Sequence, residues 1–121
     1  MLGIGVPKSS VSSDHIRRLW EAWLATPYPT TEYRPGSADG EVDGVDLALL
    51  DGDAASVVAW YLDPELRGRG ESRLQEVTRK QSLSTLEQVL PRLSIGGQSY
   101  FGELLELLRL VDRALQEERQ R

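Results

Sequence analysis

A small all-α bundle of about four helices in a single domain is the fold this sequence predicts, and three observations predict it. Apolar residues recur at three- and four-residue steps in the early, middle and final stretches of the chain. Proline and glycine clusters part these stretches into segments of helical length. A chain of 121 residues holds one modest core and not two.

Residues 1–10 are small, polar and glycine-containing, and are expected to form a flexible N-terminal segment ahead of a single helical domain over 11–121. The first helix is well signalled. Ser12 or Ser13 caps it, Asp14 sits in its first turn and Pro27 stops it, which gives about 12 residues. Ile16, Leu19, Trp20, Trp23 and Leu24 share one face, with Arg17, Arg18 and Glu21 opposite. From Pro27 to Gly44, prolines and glycines interleaved with Tyr28 and Tyr33 indicate an extended connection, neither helix nor sheet. The two tyrosines are expected to cover the tryptophans of the first helix.

Val45 to Leu62 is strongly apolar. One helix over about 45–62, bent near Gly52, places Leu47, Leu50, Ala54, Val57, Val58 and Tyr61 on one face. The alternative is a short strand over Val45–Asp51, then a helix capped at Asp51 or Asp53; such a strand has no obvious partner. Asp63-Pro64 and the Gly68/Gly70 pair mark a turn, and Ser72 with Gln75 forms a capping-box pattern that opens a third helix. Leu74, Val77, Leu83, Leu86, Val89 and Leu90 follow, interrupted by the polar run Arg79-Lys80-Gln81-Ser82. Pro91 ends or kinks this helix, and Gly96-Gly97 completes the turn into the last one.

The final helix, Gln98 to Arg121, is apolar on two sides. Phe101, Leu104, Leu108, Val111 and Leu115 form a seam at steps of 3, 4, 3 and 4. Tyr100, Leu107, Leu110 and Ala114 form a second line. The other three helices can cover the seam, so Tyr100, Leu107 and Leu110 are the expected place for a partner.

Charge adds a second candidate. The net charge is −5, and no basic residue lies between Arg34 and Arg67, where Asp39, Glu41, Asp43, Asp46, Asp51, Asp53, Asp63 and Glu65 do. The sign then reverses over Arg67, Arg69, Arg73, Arg79 and Lys80. This segregation disfavours nucleic acid as a ligand and suits a basic protein, or self-association that joins the two zones. Solvated loop and helix faces are the plainer reading.

Other chemistry finds little support. Asp39, Glu41, Asp43 and Gly44 begin like a calcium loop, but Leu50 stands where a bidentate glutamate is needed. His15 is the single histidine and there is no cysteine, so no metal or cofactor is expected. No nucleophile elbow and no phosphate-binding glycine loop with lysine occurs. Arg67-Gly68-Arg69-Gly70 is an exposed turn more readily than a phosphate contact. Trp20, Trp23, Trp60 and Tyr61, with Tyr100 and Phe101, either line a small-molecule pocket between helices or build the core. No basic leader and no run near ~18 apolar residues is present, so a cytoplasmic protein off the membrane is expected.

The run Gly44 to Ala55, the segment Leu86 to Pro91 and the pair Tyr100-Phe101 resemble small uncharacterised helical proteins of high-GC Gram-positive bacteria. The resemblance spans roughly residues 44–115. It implies a compact helical domain and carries no activity. The functional expectation is a small acidic, non-enzymatic interaction module of the regulator, inhibitor or immunity type. It pairs with itself through the C-terminal helix, and Asp39, Glu41 and Asp43 are available to a basic protein. A small-molecule binder or small helical enzyme using the aromatic residues is the second reading.

Overall fold

The computed structural model describes residues 11–29 and 41–120, and the fold is all-α with one two-stranded hairpin. Residues 1–10, Tyr33 and Asp39 lie outside the described residues, so the expectations placed on them go unaddressed.

Helix α1, Ser13–Leu24, has the predicted length, and its cap is Ser12, whose hydroxyl accepts the His15 N–H at 3.4 Å. Ile16 and Trp23 are buried and Leu19 and Trp20 partly so, whereas Leu24 is 57% exposed. The connection before residue 45 is not wholly irregular. Strands β1, Glu41–Val42, and β2, Val45–Asp46, pair antiparallel, with Val42 opposite Val45 and Glu41 opposite Asp46. Asp43 and Gly44 make the turn at φ 51° and 81°. Both values are positive, the hairpin geometry in which Asp-Gly is favoured. The strand thus has a partner four residues upstream, and α2 starts only at Leu47.

Helix α2, Leu47–Leu62, is capped by Asp46, which accepts the Leu49 N–H at 3.1 Å. Asp63 ends it and immediately caps the one-turn helix α3, Pro64–Gly68, accepting the N–H groups of Glu65 at 3.0 Å and Leu66 at 3.1 Å. Helix α4, Arg73–Val89, opens on the expected capping box. Ser72 Oγ accepts the Gln75 N–H at 3.1 Å, and Gln75 Oε1 accepts the Ser72 N–H at 2.7 Å. A 3-10 turn at Leu90–Arg92 contains Pro91. Helix α5, Ile95–Arg119, begins earlier than the glycine pair suggests: Ser94 is its cap and accepts the Gly97 N–H at 3.2 Å. Gly96 and Gly97 therefore lie in its first turn rather than in a loop.

Helices α2, α4 and α5 pack on one another, and α1 lies chiefly on α5. Phe101, Leu104, Leu108 and Val111 of α5 are completely buried and join Leu47, Val58 and Leu86 in the centre. No helix among the described residues is long and apolar enough to cross a membrane.

Among the described residues, one buried position is charged. Arg79 on α4 is fully buried, and its Nε and Nη2 donate to Glu71 Oε2 and Oε1 at 2.8 and 3.0 Å. Nη1 donates to Asp112 on α5. Arg119 reaches the same Glu71 at 2.9 Å, so ion pairs tie the start of α4 to the end of α5. A forked, fully paired guanidinium is the form in which a buried arginine is tolerated.

Candidate functional site

The C-terminal helix does not present its second apolar line. Tyr100 is 7% and Leu107 1% exposed, and Leu110 is packed partly against the core. The reason is α1, which lies on α5 and brings Trp23 against Tyr100. The two rings sit 5.0 Å apart and Trp23 Nε1 donates to the Tyr100 carbonyl at 3.2 Å. Tyr28 closes edge-on against Tyr100 and Phe101 of α5. The Tyr100 hydroxyl donates to Asp51 Oδ1 on α2 at 3.1 Å. Burial raises the Asp51 pKa, an effect which that hydrogen bond offsets in part. Burial, and then the nearby Asp51 charge, push the Tyr100 phenol well above its ordinary value. Tyr100 is thus a structural pin between α1, α2 and α5, and neither it nor Leu107 offers a surface while the domain is folded.

The four aromatic residues proposed for a pocket do not converge on one. Trp20 and Trp23 stack at 5.4 Å and belong to the α1/α5 packing. Tyr61 lies under the Arg67 guanidinium, 3.9 Å from its ring centroid, which uses that arginine as a cation–π cover. Arg67 also pairs with Glu118. Trp60 is different: its edge lines three adjoining concavities around the start of α4.

Of the acidic candidates, Glu41 is exposed on β1, and Asp43, 58% exposed in the hairpin turn, pairs with Arg92 at 3.2 Å. Among the described residues, no three His, Asp or Glu side chains come together as metal ligands. His15 is exposed on the first turn of α1.

A surface that sequence reasoning missed lies between α2 and α4. One concavity, about 170 Å³, is lined by Val45, Leu49, Leu50 and Asp53 of the hairpin and α2, and by Thr78, Gln81 and Thr85 of α4. The next, about 270 Å³, takes Asp53, Val57 and Trp60 with Glu71, Leu74 and Thr78. The order shows α2 and α4 running antiparallel, and shared Asp53 and Thr78 join the two hollows into one groove. Leu49, 63% exposed, and Leu74, 75% exposed, stand on opposite walls, and Leu66, 41% exposed, borders the hollow beyond Trp60. The outward positions of α2 are Ala48, Leu49, Gly52, Asp53, Ser56 and Ala59, a strip of six residues with one charge. A signal for this was present: α2 is apolar nearly all round, and such a helix needs cover on every side.

The groove is open and shallow, lined by apolar side chains, hydroxyls and amides, with carboxylates at Asp53, Asp46 and Glu71. Exposed large apolar side chains clustered along one face mark contact surfaces more than small-ligand sites, which enclose most of their ligand. Comparison with known proteins adds no relative: no family model, curated protein or solved structure matches this chain.

Proposed function

We propose that this protein is a small acidic, non-enzymatic interaction module, of the regulator, inhibitor or immunity type, and that it meets its partner protein through the α2/α4 face. The observation that carries this reading is the pair of protruding leucines, Leu49 and Leu74, across a groove whose α2 wall holds a single charge. Burying one leucine in a partner contributes about 1.5–3 kcal/mol, so two such anchors and a tryptophan edge supply the centre of an interface. The expectation of pairing through α5 moves with the apolar surface: it is α2 and α4, not Tyr100 and Leu107, that remain uncovered.

A photo-cross-linking amino acid placed at Leu74, and separately at the exposed α5 residue Glu106, tests the reading in cells that make the protein. Position 74 should give a discrete protein adduct that Leu49→Glu abolishes, and position 106 should give none. Equal adducts at both positions, or adducts at 106 alone, would remove the α2/α4 face as the contact surface.

A further inference from the structure

We propose that the occupant of the α2/α4 groove is a cationic amphipathic helix of another protein, seated with a lysine or arginine on the Asp53 carboxylate. This rests on the reading of that face as the interaction surface and names what it takes.

Shape selects a helix. The wall runs from Val45 of β2 to Trp60 of α2; its helical part, from Leu47, is about 20 Å at 1.5 Å per residue, and with the two strand residues it matches a helix of about fifteen residues. Apart from Val45 and Asp46 of β2, both walls are helices, whose backbone N–H and carbonyl groups are spent internally along their length. An extended peptide finds at most the two-residue edge of β2 to hydrogen-bond, too short to hold a strand, whereas an apolar helical stripe finds Leu49 and Leu74 as side walls and Val57 and Trp60 below.

Charge selects its sign. Among the described residues, no lysine or arginine lines either joined hollow. Asp46 is already committed as the cap of α2, accepting the Leu49 N–H. Asp53 is exposed, stands where the two hollows meet, and has no ion pair among the described residues. Apolar contact on either side of it lowers the water content around the carboxylate once the groove is filled, so a cation there gains more than at an open surface. A second copy of this chain is a poorer occupant. It would lay the same base-free α2 wall, Asp46 and Asp53 included, against its equal.

The test uses the full chain and three synthetic fifteen-residue peptides. The first carries leucines at three- and four-residue steps with lysines between them; the second has the same composition in scrambled order; the third has glutamates for the lysines. Amide shifts followed by NMR should move at Leu49, Asp53, Leu74 and Thr78 with the first peptide only. Asp53→Asn should weaken that binding about tenfold, the scale of a charge-assisted hydrogen bond, and Leu74→Ser by a similar factor. Glu106→Gln on α5 should leave it unchanged. Shifts on this face that ignore Asp53→Asn, equal binding of the scrambled peptide, no binding at all, or a concentration-dependent dimer seated there would each overturn the cationic helix while leaving the face as a surface. Shifts centred on α1 or α5 would overturn the face as well.

Discussion

Arg79→Met should cost the domain about 3–5 kcal/mol, the largest loss expected from any one charged position. The substitution keeps the apolar stem and roughly the volume but leaves the Glu71 carboxylate, 5% exposed, without the fork that satisfies both its oxygens. Asp112 loses its ion-pair partner at the same time and keeps the hydrogen bond from Gln116, while Arg119 still reaches Glu71 from outside. Hydrogen bonds donated to Glu71 hold the Arg79 guanidinium above its ordinary pKa, so it stays charged across the neutral range. Urea unfolding of the wild type, Arg79→Met and the triple variant Arg79→Met/Glu71→Gln/Asp112→Asn measures the effect. Removing all three charges should recover more than half of the single variant's loss, because the cost lies in stranded carboxylates and not in the missing ion pair. If Arg79→Met alone is neutral, the buried position assigned to Arg79 is wrong.

Leu107→Glu is the second large effect, and it separates two views of the C-terminal helix. Were Leu107 an exposed contact, the variant would stay folded and only lose a partner. At 1% exposure it instead places a carboxylate in the core. Lost packing plus burial of an ionisable group costs about 4 kcal/mol or more, a large share of the roughly 5–15 kcal/mol that holds a small domain together. Circular dichroism should show a chain largely unfolded at 37 °C near neutral pH. Leu110→Glu, three residues on and only half-buried, should remain folded with a lowered melting temperature. A folded Leu107→Glu variant with an unchanged melting temperature would restore α5 as the open face.

The burial of α5 shows which parts of the fold a sequence can carry. Helix α1 was legible because Ser12, Asp14 and the 16, 19, 20, 23 spacing all act within a few residues of one another. The start of α4 was legible for the same reason, since both bonds of the Ser72/Gln75 box are local. The second line of α5 was not. Whether Tyr100 is covered depends on where α1 lies, and periodicity says which residues share a face without saying what faces them.

Other misses have identifiable signals. The hairpin is too short for alternation to show, yet Asp43-Gly44 between Val42 and Val45 is the dipeptide that a two-residue turn of this hand favours. Gly96 and Gly97 suggest a turn, but Ser94, three positions before Gly97, is the helix signal, since its hydroxyl caps the Gly97 N–H. The polar run at Arg79 looked like an interruption of α4. Stepping back from Val89 and Leu86 by four and then three residues lands on Ser82 and Arg79, both buried, so the run was part of the core stripe. Nothing local marks Arg79 as buried, because Asp112 comes from 33 residues away. The α2/α4 groove was hidden differently. The apolarity of α2 signals that something covers it, but only the antiparallel pairing with α4 sets Leu49 and Leu74 on the two walls of one groove, in adjoining hollows.

The absence of cysteine from the chain allows a direct test of where a partner sits. Leu74→Cys and Glu106→Cys each introduce one exposed thiol, on the α2/α4 face and on α5 respectively. Alkylation rates are compared for the purified protein and for the same variants inside cells that make the protein. Cys at position 74 should be alkylated several-fold more slowly in the cell than in the purified chain, and Cys at 106 at the same rate in both. Equal rates at position 74 in the two settings, with protection at 106 instead, would contradict the account.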